Sequence, residues 1–343
     1  MKCRSVVAAT GLSLALFGAA CSTSTDSNET TSTTGAKSSA TGSIVISGSS
    51  TVEPISTAVA EAFSSSNPDV DIAVDGPGTG DGFQLFCEGS TDMSNASRPI
   101  KDEEAAACES NGVEFIELKV GIDGLSVITS ASNDSLRCVT FNDLYALVGP
   151  ESTGFKNWSD AQELATELGS TSTFPDADLD VYGPGEESGT YDSFVEIVLE
   201  DLAEARNNDA QTRADYTSSP QDNVIVEGVA GSKTSLGWVG FAFASESKGV
   251  KALEVDDGES GCVAPTAESI AQGEYPIARD LFVYVNAKRV DENPVVAQFV
   301  EFFLSDEGIR SVSDVGYVAL DDSALAKTRE AFKDRTTGSL ANG

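Results

Sequence analysis

Three short loops rich in glycine and in serine or threonine each lie between a predicted strand and a predicted helix. They span Gly48–Thr51, Gly76–Gly82 and Gly183–Thr190. The first backbone amides of a helix have no intrahelical partner and carry a partial positive charge, so they bind anions. Hydroxyl side chains add donors, and glycine lets the backbone approach a ligand closely. The residue types therefore predict an anion site made of loop amides and hydroxyls.

Each loop taken alone also has a plain structural interpretation. Serine or threonine before a helix is most often an N-cap, and Ser50 and Glu53 have the spacing of a capping box. Gly76–Gly82 fits a tight turn, and it lacks the Gly-Lys-Ser/Thr ending of a nucleotide phosphate loop. Because the same arrangement occurs three times, we favour the anion site.

The elements that position these loops are strands before them and helices after them. Short apolar or alternating segments at Ser43–Ser47, Val70–Val74 and Leu179–Val181 predict strands. Pro54 lies in the first turn of the first helix, where proline is tolerated. The helical stripes are Val52, Ile55, Val59 and Phe63; Phe83 to Cys87; and Tyr191, Phe194, Val195, Val198 and Leu202. This alternation predicts an α/β fold with mostly parallel sheets.

Two strand-like segments far apart in the sequence, Leu125–Thr129 and Leu281–Val285, are predicted to lie near two crossings between lobes. Trp238–Phe243 is predicted as a buried strand. The predicted lobe 1 comprises residues 43–124 and 276–343, and lobe 2 comprises residues 125–275. The final helix is predicted to carry Val296, Phe299, Val300, Phe303 and Leu304.

The composition excludes several classes of function. Histidine is absent, and 55 acidic against 21 basic residues give a formal net charge of −34. A field of that sign repels nucleic acid. The lack of histidine removes the commonest general base near neutral pH and, with no Cys-x-x-Cys pair, argues against zinc. We expect no catalytic residues, no metal and no cofactor, while local donors still bind anions because exposed charges are screened beyond ~8 Å.

The N-terminus has the pattern of an export signal. Lys2 and Arg4 precede the apolar run Val6–Ala20, which is too short to span a bilayer well. The run ends at Cys21 in a sequence that resembles the bacterial lipobox, with Gly18 in place of the usual leucine. We expect a signal peptide at 1–20, a lipid anchor on Cys21 and a polar tether over 21–42. The alternative is an ordinary signal peptide with a chance cysteine.

Four cysteines remain beyond the signal and the anchor, namely Cys87, Cys108, Cys138 and Cys262. An even number in an exported chain predicts two disulfides, for which three connectivities are possible. We favour Cys87–Cys108 with Cys138–Cys262, partly because the first pair closes a short loop.

Four motifs, taken in order along the chain, resemble the phosphate-binding proteins of ABC importers. They are Ser47–Val52, Gly76–Phe83, Ser94–Ile100 and Ser188–Asp192. Asp222–Val224, Gly228–Gly231 and Leu236–Trp238 are similar to the same family. The resemblance extends from Ser43 to the C-terminal helix, and it rests on the ordered set rather than on any single motif.

The resemblance implies a two-lobe type II periplasmic-binding-protein fold that closes over a dehydrated phosphate in the cleft between the lobes. It implies an extracytoplasmic monomer that delivers phosphate to the membrane permease of an ABC importer, and the lipobox-like sequence predicts that the N-terminal lipid holds this monomer at the cell membrane. The residues that the resemblance assigns to phosphate are Ser50, Thr51, Val52, Thr79, Gly80, Ser97, Ser188, Gly189 and Thr190.

One position departs from the family pattern. Many relatives place an arginine a few residues before the Ser-Gly-Thr, where this chain has Pro184. Arg98, beside Ser97, is our candidate for the missing cation, since its guanidinium fork matches two phosphate oxygens. A salt bridge is its alternative role.

A carboxylate in the site would select phosphate over sulfate, because phosphate near neutral pH retains a proton that the carboxylate accepts. Polar mismatches in a dry site discriminate strongly. Asp81 is the first candidate, Asp192 the second and Asp75 the third. Each also suits a turn or a cap.

Three other functions remain open on the sequence. The same fold could bind sulfate, molybdate or tungstate. A hydrolase would need a Ser–Lys pair, for which Lys233 is the nearest candidate, although it lies in no recognised nucleophile motif. A surface adhesin or phosphate sensor could use the same scaffold.

The predicted anchor is testable by changing one residue. Cys21→Ala should release the protein into the medium or leave an uncleaved precursor, because a diacyl group is what would hold the mature chain at the membrane. Membrane fractionation checks this, and an unchanged membrane-bound fraction would contradict the anchor.

Overall fold

Strands and helices alternate along the chain. The computed structural model describes residues 41–186 and 188–339, so the predicted signal, Cys21 and nearly all of the tether lie outside the described residues. The strands are β1 Gly42–Gly48, β2 Val70–Asp75, β3 Met93–Ala96, β4 Phe115–Ser130, β5 Cys138–Thr140, β6 Val181–Gly183, β7 Thr217–Ser218, β8 Leu236–Gly240, β9 Val250–Ala252, β10 Glu254–Asp256 and β11 Ala278–Asn286.

Fourteen α-helices accompany these strands in the described ranges. They are α1 Glu53–Ser66, α2 Thr79–Cys87, α3 Asp102–Ser110, α4 Phe141–Val148, α5 Gln162–Glu167, α6 Gly189–Phe194, α7 Glu200–Ala205, α8 Asp222–Gly231, α9 Phe241–Glu246, α10 Ala267–Ala271, α11 Ala287–Glu292, α12 Pro294–Phe303, α13 Asp306–Asp314 and α14 Asp322–Lys333. Short 3₁₀ turns occur at Pro150–Ser152 and Trp158–Ala161, and a π-helical segment, Val195–Leu199, joins α6 to α7. None of the described helices combines the length and apolarity that crossing a bilayer requires.

Most strands form one mixed sheet in the order β2-β1-β3-β11-β4-β8-β6-β7, with β9 also paired to β4. The pairs at its two ends are parallel, as predicted: β1 with β2 and β3, and β6 with β7 and β8. The pairs in its middle are antiparallel, because β4 and β11 run in opposite directions between the two parallel parts. The α/β prediction is confirmed, and the sheet is mixed rather than mostly parallel.

Strand β4 is 16 residues long and connects the two parallel parts of the sheet. Its first part pairs with β11 up to Gly124, and its second part pairs with β8 from Leu125. The predicted strands Leu125–Thr129 and Leu281–Val285 lie within β4 and β11. The chain therefore crosses between the two parallel parts of the sheet at this central pair, which consists of β4 and β11. The boundaries of the two lobes stay a prediction.

Two large apolar cores flank the central pair. The first gathers side chains of β1, α1 and α12, including Ile44, Val59 and Phe303. Within it, the rings of Phe63 and Phe299 meet edge to face with centroids 5.5 Å apart. The second core lies around α4, β8 and the helix that starts at α6. Full burial of one such aliphatic or aromatic side chain contributes about 1.5–3 kcal/mol to stability. The cores therefore stabilise the strands and helices that position the loops.

Three predicted elements differ from the structure. The segment Trp238–Phe243 is a strand only to Gly240; helix α9 begins at Phe241, and Phe243 is 46% exposed. A short apolar run has no periodicity that separates strand from helix, which explains the error. Helix α2 begins at Thr79, inside the glycine-rich loop. The stripe from Val296 to Phe303 lies on α12, with Leu304 at its C-cap, and α13 and α14 follow, so it is not the final helix.

Both favoured disulfides are confirmed. Cys87–Cys108 joins the end of α2 to α3, and Cys138–Cys262 fixes the start of β5. Both cysteines of the first bridge are buried. The first bridge therefore holds α2, whose N-terminus belongs to the second glycine-rich loop, against the helix that follows Arg98.

Candidate anion-binding site

The first and third predicted loops meet in the structure. The hydroxyl of Ser50 donates to Asp192 Oδ2 at 2.6 Å, although 142 positions separate them in the sequence. The hydroxyl of Thr51 donates to the carbonyl oxygen of Gly189 at 3.3 Å. A Cβ added to Gly189 would lie 2.8 Å from Thr51 Cα, so only glycine allows the two loops to approach this closely.

The capping-box interpretation of Ser50 is wrong. Helix α1 has Val52 at its N-cap, without a side-chain cap, and the Ser50 hydroxyl bonds to Asp192 across the contact between the loops. Ser188, by contrast, is a true N-cap, because its hydroxyl accepts from the amide of Thr190 at 3.2 Å. Helix α1 thus lacks a side-chain cap at its N-cap residue, while the amides of Val52 and Glu53 donate to the carbonyl oxygen of Ser49 at 3.2 and 3.0 Å.

The second loop packs on the first and contacts the loop that contains Ser97. The amide of Gly78 donates to the carbonyl oxygen of Gly48 at 2.9 Å. The hydroxyls of Thr79 and Ser97 lie 3.1 Å apart, and the Ser97 amide donates to Thr79 Oγ1 at 3.3 Å. Gly80 is exposed beside them. The structure therefore brings the donors of the predicted site into two groups, Ser50–Thr51 with Ser188–Thr190 and Thr79 with Ser97.

Arg98 forms a salt bridge in the structure. Its terminal nitrogens donate to both carboxylate oxygens of Glu104 at 2.8 and 2.7 Å, and its guanidinium carbon lies 5.6 Å from the centroid of the Phe83 ring. Burial opposes ionisation of Glu104, yet the hydrogen bonds from Arg98 lower the pKa of this carboxyl overall. The alternative role that the sequence left open is thus present, and ligand binding by Arg98 stays a prediction.

A second arginine, which the sequence reasoning missed, lies where the first and third loops meet. Arg279, near the start of β11, donates from Nη2 to Thr51 Oγ1 at 3.0 Å and to Ser193 Oγ at 2.5 Å. Its Nη1 donates to Glu196. The side chain is only 11% exposed. Arg279 is therefore a cation in direct contact with a predicted phosphate ligand.

Asp123 on β4 lies opposite Arg279 in the central antiparallel pair. Its Oδ2 is 3.7 Å from Arg279 Nε and accepts from Ser193 Oγ at 2.5 Å. Burial raises the pKa of Asp123, and the charge of Arg279 acts against that shift. The sequence carries one weak signal for this pair, namely charged residues within two largely apolar crossing strands, and β4 also contains Glu117 and Lys119 while β11 also contains Asp280.

The three candidate carboxylates have different positions. Asp75 and Asp81 are exposed, Asp75 at the end of β2 and Asp81 in the first turn of α2. Asp192 is partly buried and accepts from Ser50 between the two loops. Among the residues that the structure describes, no group of three or more cysteine, aspartate or glutamate side chains is placed to hold a metal ion.

The packing of the second loop on the first is testable through Gly82. A Cβ added there would lie 2.3 Å from Gly48 Cα, so Gly82→Ala must push backbone against backbone. We expect the free energy of unfolding, measured in urea, to fall by about 1–3 kcal/mol.

The matched control for that substitution is Gly231→Ala, because a Cβ at Gly231 would meet no atom within 4 Å. Gly231→Ala should unfold at the parent's urea concentration or above it. Equal stability of Gly82→Ala and the parent would show that the two loops do not pack as described.

Comparison with known proteins gives the family. A family model described as a PBP superfamily domain matches residues 31–307. Protein SphX of Synechocystis sp. is 36% identical over 303 residues, which cover 88% of this chain and 85% of SphX. The phosphate-binding protein PstS of Staphylococcus saprophyticus is 32% identical over 84% of this chain and 83% of that protein.

A solved structure agrees with these relatives. The crystal structure of a possible phosphate binding protein from Planctomyces limnophilus is 35% identical, with a TM-score of 0.78 over 87% of this chain and 100% of that one. The likeness confirms the predicted two-lobe type II periplasmic-binding-protein fold. The chain therefore belongs to the PBP superfamily and, within it, to the family that includes SphX and the phosphate-binding protein PstS.

Proposed function

We propose that this protein is an extracytoplasmic solute-binding protein that captures inorganic phosphate between two lobes and delivers it to an ABC importer. One observation carries the proposal. The Ser50–Thr51 and Ser188–Thr190 loops, each at a helix N-terminus, meet beside the buried guanidinium of Arg279. Amides, hydroxyls and one guanidinium are the groups that bind an oxyanion in a dry site. The names of the relatives, phosphate-binding proteins among them, support phosphate as the anion.

The neutral donors of the proposed site come from four segments of the chain. In the structure, the Ser50 and Thr51 hydroxyls bond to acceptors on the opposite loop. A bound phosphate would take over the Thr51 proton, because its charged oxygens are stronger acceptors than the carbonyl oxygen of Gly189. Ser50 donates to the Asp192 carboxylate and would turn to phosphate when Asp192 accepts the phosphate proton. The proposed neutral donors are Ser50, Thr51, the Val52 amide, Thr79, Gly80, Ser97, Ser188, Gly189 and Thr190.

Arg98 stays in the proposed site as a cation beside Ser97. Glu104 engages both of its terminal nitrogens, so we expect Arg98 to act on phosphate more through its charge than through a bidentate fork. Asp81, at the N-terminus of α2, stays in the proposed site as a polar neighbour of Thr79 and Gly80.

A binding function fits better than catalysis. The relatives are solute-binding proteins. Lys233, considered for a Ser–Lys pair, is exposed in the loop after α8. We propose that the protein has no enzymatic activity. We also propose that a lipid on Cys21 holds it at the membrane as a monomer beside its permease.

Calorimetry tests the proposed ligand. The mature protein should bind phosphate and arsenate, which share shape and protonation near neutral pH, and should not bind sulfate. Thr190→Val should weaken phosphate binding by about two- to ten-fold, because a neutral hydroxyl bond contributes about 0.5–1.5 kcal/mol. Binding of sulfate, molybdate or tungstate in preference to phosphate would contradict the proposal and favour the other oxyanions.

Asp192 is the carboxylate that we propose accepts the phosphate proton, because it lies between the two loops. Asp192→Asn should weaken phosphate binding by about ten-fold or more, since a charge-assisted hydrogen bond contributes about 1.5–3 kcal/mol. It should also let sulfate compete, because the repulsive charge is gone. Competition titrations with phosphate and sulfate measure both effects.

The control for Asp192→Asn is Asp201→Asn, which makes the same change of charge at an exposed position of α7. It should leave the preference for phosphate unchanged. A parent-like preference for phosphate over sulfate in Asp192→Asn would exclude Asp192 as the acceptor.

A further inference from the structure

We propose that Arg279 binds the phosphate directly and that Glu196 is an internal competitor, which occupies the guanidinium until phosphate displaces it. This inference rests on the proposed function; it makes Arg279 a direct ligand and adds Glu196 to the site. It assigns the cation to the crossing strand β11, 228 positions from Thr51 in the sequence.

Arg279 lies next to a predicted phosphate donor, as a cation that binds the phosphate must. Its Nη2 donates to Thr51 Oγ1, and Thr51 in turn contacts Gly189. Any anion bonded to the Thr51 hydroxyl is therefore adjacent to the guanidinium. Asp123 and Ser193 hold the rest of the arginine side chain in a fixed place.

The two carboxylates around Arg279 differ in how easily they can leave. Asp123 is 3% exposed and lies in the central strand pair, so it cannot move into water. Glu196 is 48% exposed on the π-helical segment after α6, and its side chain can turn outward at little cost. An arriving anion would therefore displace Glu196 and leave Asp123 in place.

Glu196 also lies within electrostatic reach of the second cation of the site. The hydrogen bond from Arg98 to Glu104 is the main cause of the raised pKa of Arg98, and the charge of Glu196 adds to it. Glu196 thus places a negative charge near two guanidinium groups, as bound phosphate would. The competition lowers the apparent affinity for phosphate by the fraction of time that Glu196 occupies the guanidinium.

Titration calorimetry with inorganic phosphate tests the competition. Glu196→Gln should bind phosphate about two- to five-fold more tightly than the parent, because the competing ion pair is partly exposed and of modest strength. Glu204→Gln removes the same charge from an exposed position eight residues further along and should bind as the parent does. A gain of affinity is a readout that structural damage does not produce.

Arg279→Lys tests the cation itself while keeping a positive charge beside Asp123. We expect phosphate binding to weaken about ten-fold or more, since an ammonium group lacks the guanidinium fork. Thermal melting confirms that the variant is folded. If it binds phosphate as tightly as the parent, Arg279 is not a ligand.

The outcomes separate the inference from the function on which it rests. A parent that binds phosphate, with Glu196→Gln no tighter, overturns the competitor and leaves the proposed function standing. If the parent does not bind phosphate, the proposed function is wrong and the inference fails with it. If Glu204→Gln gains as much phosphate affinity over the parent as Glu196→Gln does, the gain is an effect of net charge alone. That result would also overturn the inference.

Discussion

The buried pair of Asp123 and Arg279 is the interaction on which the site depends. The two residues face each other across β4 and β11, the strands by which the chain crosses between the two parts of its sheet. A buried charge must be paired, and leaving one partner alone costs several kcal/mol, so each residue fixes the other. Because Arg279 also contacts Thr51 and Ser193, the pair ties both anion-binding loops to the crossing strands.

This arrangement explains how a chain with a formal charge of −34 can bind an anion. Exposed carboxylates are screened beyond ~8 Å at physiological salt, whereas a nearly dry guanidinium acts at close range on its neighbours with little screening. The N-termini of α1 and α6 meet beside it and add their helix dipoles. In the binding equilibrium that we propose, Glu196 competes with phosphate for Arg279, and Asp192 accepts the phosphate proton.

Local sequence signals predicted what is local in the structure. The apolar patterns located β1, α1, β2 and the helix from α6 onward, and the small polar loops between them could be recognised by residue type. The cysteine count predicted two disulfides and left three connectivities, of which the favoured one is present. Arg279 was missed because its contacts with Thr51 and Ser193 depend on the register of two distant strands, which no local pattern contains. The prediction of a strand over Phe241–Phe243 was wrong, because hydrophobicity alone does not separate the end of a strand from the start of a helix.

The central claim is that one anion lies between the Thr51 and Ser188–Thr190 loops and against Arg279. A crystal structure of the mature protein with phosphate tests it most directly. The account predicts phosphate oxygens within hydrogen-bond distance of Thr51 Oγ1, the Thr190 amide and the Arg279 guanidinium, with the Glu196 carboxylate turned away. Phosphate bound elsewhere, or bound at the loops with Arg279 still paired to Glu196, would contradict it.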